Sequence, residues 1–144
     1  MEKPLRRRVY LFITRESGPF GQVLILVPSD PRREAETPGG TIEDGESPAS
    51  AALREAEEET GLGSFAIPVL LAEDDHENRD ERLRRFFFHL PALGPTVDVW
   101  TQRDGDGGAE NSLRWIDLPE ASGLHPHFRA YLERVRVAPP SEGA

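Results

Sequence analysis

Residues 40–62 read GTIEDGESPASAALREAEEETGL, and the ends of a helix are marked inside them. Ser47 has a side-chain oxygen suited to an N-cap, and Pro48 suits the first helical position, where its fixed φ helps and its missing N–H costs nothing. Gly61 stands where a helix closes on a left-handed residue. The spacing therefore predicts a helix over 48–60. With Glu55 set at 0° and about 100° per residue, Glu59 lies near +40° and Glu58 near −60°. Three carboxylates then share one face, because residues three and four apart are neighbours. Ala49, Ala52, Leu53, Ala56 and Thr60 fall between roughly 60° and 160° and read as the core face. Arg54 stands one turn before Glu58 and can brace it, while Glu57 points away.

The charge of this stretch is lopsided. Residues 43–62 hold seven acids (Glu43, Asp44, Glu46, Glu55, Glu57, Glu58, Glu59) against Arg54, a local net of −6 within a chain total of −9. A solvated helix face is the ordinary reading of a glutamate run. Here the like charges repel at i, i+4, and they crowd the C-terminal turns, where the helix dipole favours cations. Two local rules broken at one spot point to a ligand that offsets the penalty. A hard divalent cation does so: magnesium takes oxygen ligands, keeps waters and is completed by substrate phosphates. Gly39 and Gly40 let backbone approach such a site closely.

Outward from the helix, residues 7–14 (RRVYLFIT) and 22–28 (QVLILVP) are β-branched and aromatic runs around Ser17-Gly18-Pro19-Phe20-Gly21, and read as a hairpin. Ser29 to Thr37 reads as a loop. Residues 65–72 and 84–90 read as two more strands around a polar loop from Glu73 to Arg82, with Pro68 marking an irregular or edge strand. A Gly- and Asp-rich loop, Asp104 to Gly108, leads to a strand at Leu113–Asp117, and a closing helix is expected near His127–Val135. Strands, helix, strands, helix suggest a mixed sheet covered by helices.

A length of 144 residues fits one domain, expected over 1–136, with the proline-bearing end 137–144 as a frayed tail. With no cysteine, disulfides, thiolate metal sites and thiol catalysis are excluded. The run Val9–Ile13 after Arg6-Arg7-Arg8 is too short for a signal peptide or membrane span, so a cytoplasmic protein without membrane association is expected. A net charge of −9 with a single lysine does not suit duplex nucleic acid.

Gly40, Glu46, Arg54-Glu55-Ala56, Glu58-Glu59 and Gly61-Leu62 together resemble the Nudix box, G-x5-E-x7-R-E-U-x-E-E-x-G-U, with U aliphatic. Ala56 is smaller than the usual aliphatic residue, a difference of packing rather than chemistry. The resemblance implies a Nudix-type α/β/α sandwich with a mixed β-sheet. It also implies hydrolysis of a nucleoside diphosphate linked to another moiety. Carried over by position, it assigns Glu55, Glu58 and Glu59 to Mg2+, with Mn2+ as a substitute, and lets Gly40 offer its carbonyl. Arg54 and Glu46 become orienting residues, since a guanidinium stays protonated and cannot act as a base. Attack of water on an anionic pyrophosphate needs charge neutralisation and a carboxylate to take the proton. That carboxylate is a box glutamate or an acid on a later loop, for which Glu110 is the outside candidate.

Other features read more plainly. The stretch His76 to Arg85 is a solvated loop grading into a strand, or a set of arginines set against phosphates. Phe86, Phe87 and Phe88 fit core packing or base stacking, Trp100 and Trp115 fit core or rim, and His125 and His127 fit surface or capping positions. Neither a proline about fifteen residues after the box nor a slightly later tyrosine is present, so ADP-ribose and diadenosine polyphosphates are not favoured. A nucleoside triphosphate or other nucleotide derivative is the expected small-molecule substrate. The alternatives are an RNA 5′-end pyrophosphohydrolase and a non-catalytic nucleotide sensor; oligomeric state is not readable.

Overall fold

In the computed structural model, residues 2–103, 110–121, 131, 132, 134 and 135 are described. The elements run β1 (Leu5–Arg15), β2 (Gln22–Pro28), β3 (Gly39–Thr41), α1 (Pro48–Thr60), β4 (Val69–Glu77), β5 (Arg82–Pro91), β6 (Val99–Arg103), β7 (Glu110–Asp117) and α2 (Leu118–Ala121). Seven strands form one sheet in the order β4-β5-β1-β2-β7-β6, with β3 paired to β1. The sheet is mixed: β1 and β5 run parallel over ten residue pairs, and the other pairings are antiparallel.

The sheet has two apolar faces, set by strand alternation. Val9, Leu11 and Ile13 of β1 with Phe86, Phe88 and Leu90 of β5 meet Ala51, Ala52 and Ala56 of α1 on one face. Phe12 and Phe87 face the other way, against Leu132 and Val135, with Tyr10, Leu118 and Tyr131 at its margin. All three phenylalanines of 86–88 are therefore core residues. Trp115 is buried, and Trp100 packs at the edge of the α1-side core.

Two expectations about the strands need correcting, and two further strands were not foreseen. The hairpin of β1 and β2 is short, two pairs at Thr14↔Val23 and Arg15↔Gln22, because β2 then leaves β1 to pair with β7 over seven residues. Glu73–Glu77 is strand rather than loop: acids on edge strand β4 stand opposite the arginines of β5, at Asp74↔Arg85, Asp75↔Arg84 and Glu77↔Arg82. Cross-strand charge pairing there replaces apolar alternation. Residues Gly39–Thr41 form a strand although two of the three are glycine, since β1 supplies the pairing. Lastly, β6 (Val99–Arg103) was not foreseen. The expected helix near His127–Val135 and the tail after 136 lie largely or wholly outside the described residues, as do His125, His127 and the Asp104–Gly108 loop.

Candidate active site

Helix α1 spans the limits its sequence marks. The Ser47 hydroxyl accepts from the Ser50 N–H at 3.2 Å, Pro48 opens the helix, and Gly61 closes it at φ 74°, its N–H donating to the Glu57 carbonyl. No basic residue lies in the last turn. The C-terminal carbonyls find neutral donors instead: the Trp100 indole N–H donates to the Thr60 carbonyl at 2.8 Å, and the Thr60 hydroxyl donates to Ala56 O at 2.6 Å.

The buried residues of α1 are Ala51, Ala52, Glu55, Ala56 and Thr60, which corrects the expected core face. Leu53 is 40% exposed and Ala49 is exposed, whereas Glu55 is 9% exposed. On the same wheel the buried arc runs from Ala51 near −40° to Thr60 near 140°, so it contains the Glu55 direction. The helix is thus turned so that one carboxylate of the acid face points into the protein. What makes room is Gly40. It pairs with Val9, and a Cβ there would overlap the whole Glu55 carboxyl group.

Arg54 gathers the acids. Its Nε and Nη2 donate to the two Glu46 oxygens at 2.7 and 2.9 Å, Nη1 donates to Glu55 at 2.9 Å and to Glu58 at 3.2 Å, and Nη2 also reaches the Thr41 carbonyl at 3.0 Å. The fork on Glu46 is the bidentate geometry that suits guanidinium. Hydrogen bonding from Arg54, aided by the Glu43 N–H, holds the Glu46 carboxyl down at about 2. Arg54 itself is pushed up, first by its Glu46 bonds. Glu55 moves the other way: burial raises its pKa, and this outweighs the bond and charge of Arg54.

The structure therefore brings Gly40, Glu46, Arg54, Glu55 and Glu58 into one contact set. Glu59, on the next position of the same face, is half-buried. Glu110 opens β7, where it stands opposite Arg103 with its carboxylate 3.9 Å from that guanidinium. It is a strand residue, not a loop acid. The arginines of 79–85 divide: Arg85 makes a two-bond pair with Asp74 at 2.7 and 2.8 Å, Arg84 pairs with Glu73 and Asp75, and Asp74 also accepts from the Tyr131 hydroxyl at 2.5 Å. Sequence reading missed Thr41, whose carbonyl anchors Arg54; a backbone acceptor leaves no signature in residue type.

Among the described residues, no three acidic or histidine side chains are gathered as a ready ligand set. Arg54 Nη1 stands between Glu55 and Glu58 and offsets their repulsion. The donor chemistry nevertheless fits a hard divalent ion. Every candidate donor is oxygen, and Gly40 lacks the side chain that would fill the space against Glu55.

Comparison with known proteins gives the family. The NUDIX domain model matches residues 4–135, and the chain belongs to that family. Nudix hydrolases as a family act on pyrophosphate linkages of nucleotide derivatives and generally use divalent metal ions. The fold is similar to that of a MutT protein from Methanosarcina mazei Go1, 26% identical with TM-score 0.66, over 93% of this chain and 94% of that one. A MutT NUDIX hydrolase from Burkholderia pseudomallei shares the fold at TM-score 0.69 and 23% identity, covering 92% and 99% of the two chains. An octanoyltransferase from Myxococcus xanthus is 31% identical over 94% of this chain but only 37% of its own length. The chain thus spans just over a third of that curated relative, and the transferase name belongs to the longer protein. No helix among the described residues is long and apolar enough to cross a membrane.

Proposed function

We propose that this protein is a Mg2+-dependent hydrolase that cleaves the pyrophosphate linkage of a nucleoside diphosphate joined to another moiety, with a nucleoside triphosphate as the leading substrate. The observation that carries the reading is the Arg54 hub, which ties Glu46, Glu55 and Glu58 to the Gly40 strand. Glu55, Glu58, Glu59 and the Gly40 carbonyl would hold the metal, with Mn2+ as a substitute. When bound, the ion supplies charge neutralisation of the phosphoryl oxygens and a water of lowered pKa. Arg54 and Glu46 are positioning residues: fastened to each other, they fix the rotamers of Glu55 and Glu58. The proton released by the attacking water goes to Glu58 or to Glu110. Loss of rate and a displaced pH profile in Glu110→Gln, with metal affinity retained, would assign it to Glu110; an unchanged profile would leave it to a glutamate of α1.

The substrate is a small molecule rather than a duplex, and the cytosol is the compartment that suits a chain without cysteine. Residues 1–136 would act as the catalytic unit, with 137–144 as an appended tail. A phosphate-release panel of nucleoside triphosphates, nucleotide sugars, dinucleoside polyphosphates, ADP-ribose, coenzyme A and triphosphate-ended RNA tests the reading. Magnesium-dependent release from a nucleotide supports it. Folded, metal-binding protein that is silent across the panel would contradict it and favour a sensor.

A further inference from the structure

Resting on the hydrolase reading, a positioning residue from outside α1 can be added to the site. Glu58 and Glu59 stand in the last turn of a 13-residue helix, where helices fray and where the dipole disfavours anions. The ordinary remedy is a basic residue in that turn, and α1 has none. Its end is held from β6 instead. Trp100 and Gln102 alternate onto one face of that strand, and both meet the end of α1. The Trp100 indole N–H donates at 2.8 Å to the carbonyl of Thr60, the last residue of the helix and the next in the chain after Glu59. Gln102 lies against the closing glycine, where a Cβ on Gly61 would come within 3.2 Å of its Oε1. Trp100 is itself braced: β6 pairs it with Leu113, and its ring lies 6.3 Å from that of Trp115. Trp115 is buried, its indole N–H donates to the Val97 carbonyl at 2.9 Å, and the Arg15 guanidinium lies over its ring at 4.7 Å.

A neutral donor and a cation are not equivalent at this spot. A lysine or arginine would satisfy the last carbonyls and oppose the dipole, but its charge would stand beside the carboxylates and compete for them with a divalent ion. The indole N–H satisfies the carbonyl and adds no charge. Groups that hold metal ligands in orientation change metal affinity or activity about 10–100-fold when they are lost. We propose that Trp100 is a positioning residue for the metal site, its bond to Thr60 keeping the last turn of α1 helical and so setting the positions of Glu58 and Glu59.

Trp100→Phe keeps a ring against Trp115 and removes the N–H. Trp115→Phe is the matched control, since it removes an indole bond from the same pair of rings, to the Val97 carbonyl rather than to α1. The readouts are Mn2+ affinity by calorimetry, kcat as a function of Mg2+ on the best nucleotide of the panel, and Tm. Both variants should lower Tm. Only Trp100→Phe should raise the Mn2+ Kd, by about tenfold or more, and its kcat should climb back toward wild type as Mg2+ is raised. A wild-type Mn2+ Kd in Trp100→Phe would overturn the assignment, and so would equal losses of Mn2+ affinity in the two variants. Protein whose Mn2+ affinity falls with Trp100 yet which hydrolyses no nucleotide would instead contradict the hydrolase reading and leave Trp100 in place.

Discussion

Replacing Gly40 with alanine tests the contact on which the site is built. A Cβ at this position would fall inside contact distance of the Cδ and both oxygens of Glu55. To restore van der Waals separation the carboxylate must retreat by about 1 Å or more. That displacement breaks its 2.9 Å bond from Arg54. A hydrogen bond to a charged group contributes about 1.5–3 kcal/mol, and the lower chain entropy of alanine in the unfolded state returns about 0.4–1 kcal/mol. The net cost is about 1–2 kcal/mol, or about 3–7 °C in Tm for a domain of this size. The decisive assay is a double-mutant cycle by urea unfolding. In a Glu55→Ala background the obstacle is gone, so Gly40→Ala should cost nothing or stabilise slightly, a coupling of about 1–2 kcal/mol. Gly63→Ala serves as control, since a Cβ there meets nothing within 4 Å, and should lie within about 0.5 kcal/mol of wild type. An equal cost of Gly40→Ala in both backgrounds would refute the reasoning.

Three further expectations use other perturbations. Asp74→Asn removes the charge opposite buried Arg85 and should destabilise by about 3 kcal/mol, read as a lower urea midpoint. The depressed Glu46 contributes stability that is present above its ordinary 4.5 and lost as pH falls through about 2, whereas the raised Glu55 contributes stability present below 4.5 and lost as pH rises above it. Urea midpoints against pH should therefore show a shallower acid loss in Glu46→Gln and a shallower decline above pH 4.5 in Glu55→Gln. Glu58→Gln should lower kcat about 100-fold or more with little change in Tm, because the amide oxygen can still accept from Arg54 and the position is exposed.

The two ends of α1 were legible because Ser47, Pro48 and Gly61 act locally, through a cap bond, a fixed φ and a left-handed closure. The β2 limits were legible for a similar reason, since five of its seven residues are aliphatic. What hydropathy could not show was the direction in which α1 turns. A wheel assigns Glu55 to water, and only the missing side chain at Gly40, fifteen positions earlier, admits its carboxylate to the interior. The acids of β4 looked like loop because their partners, Arg82, Arg84 and Arg85, lie on the next strand and the pairing is a tertiary fact. Glycine-built β3 carries no side-chain pattern at all.

In the proposed reaction water attacks a phosphorus atom of a nucleotide pyrophosphate at this site, and the α1 glutamates would hold the metal. Turnover in 18O-labelled water, followed by mass spectrometry of the products with and without Mg2+ and in Glu59→Gln, tests it most directly. One 18O is expected in one of the two phosphate-bearing products per turnover, lost without the metal and reduced by orders of magnitude in Glu59→Gln. Incorporation that persists without metal, or at the wild-type rate in Glu59→Gln, would contradict it.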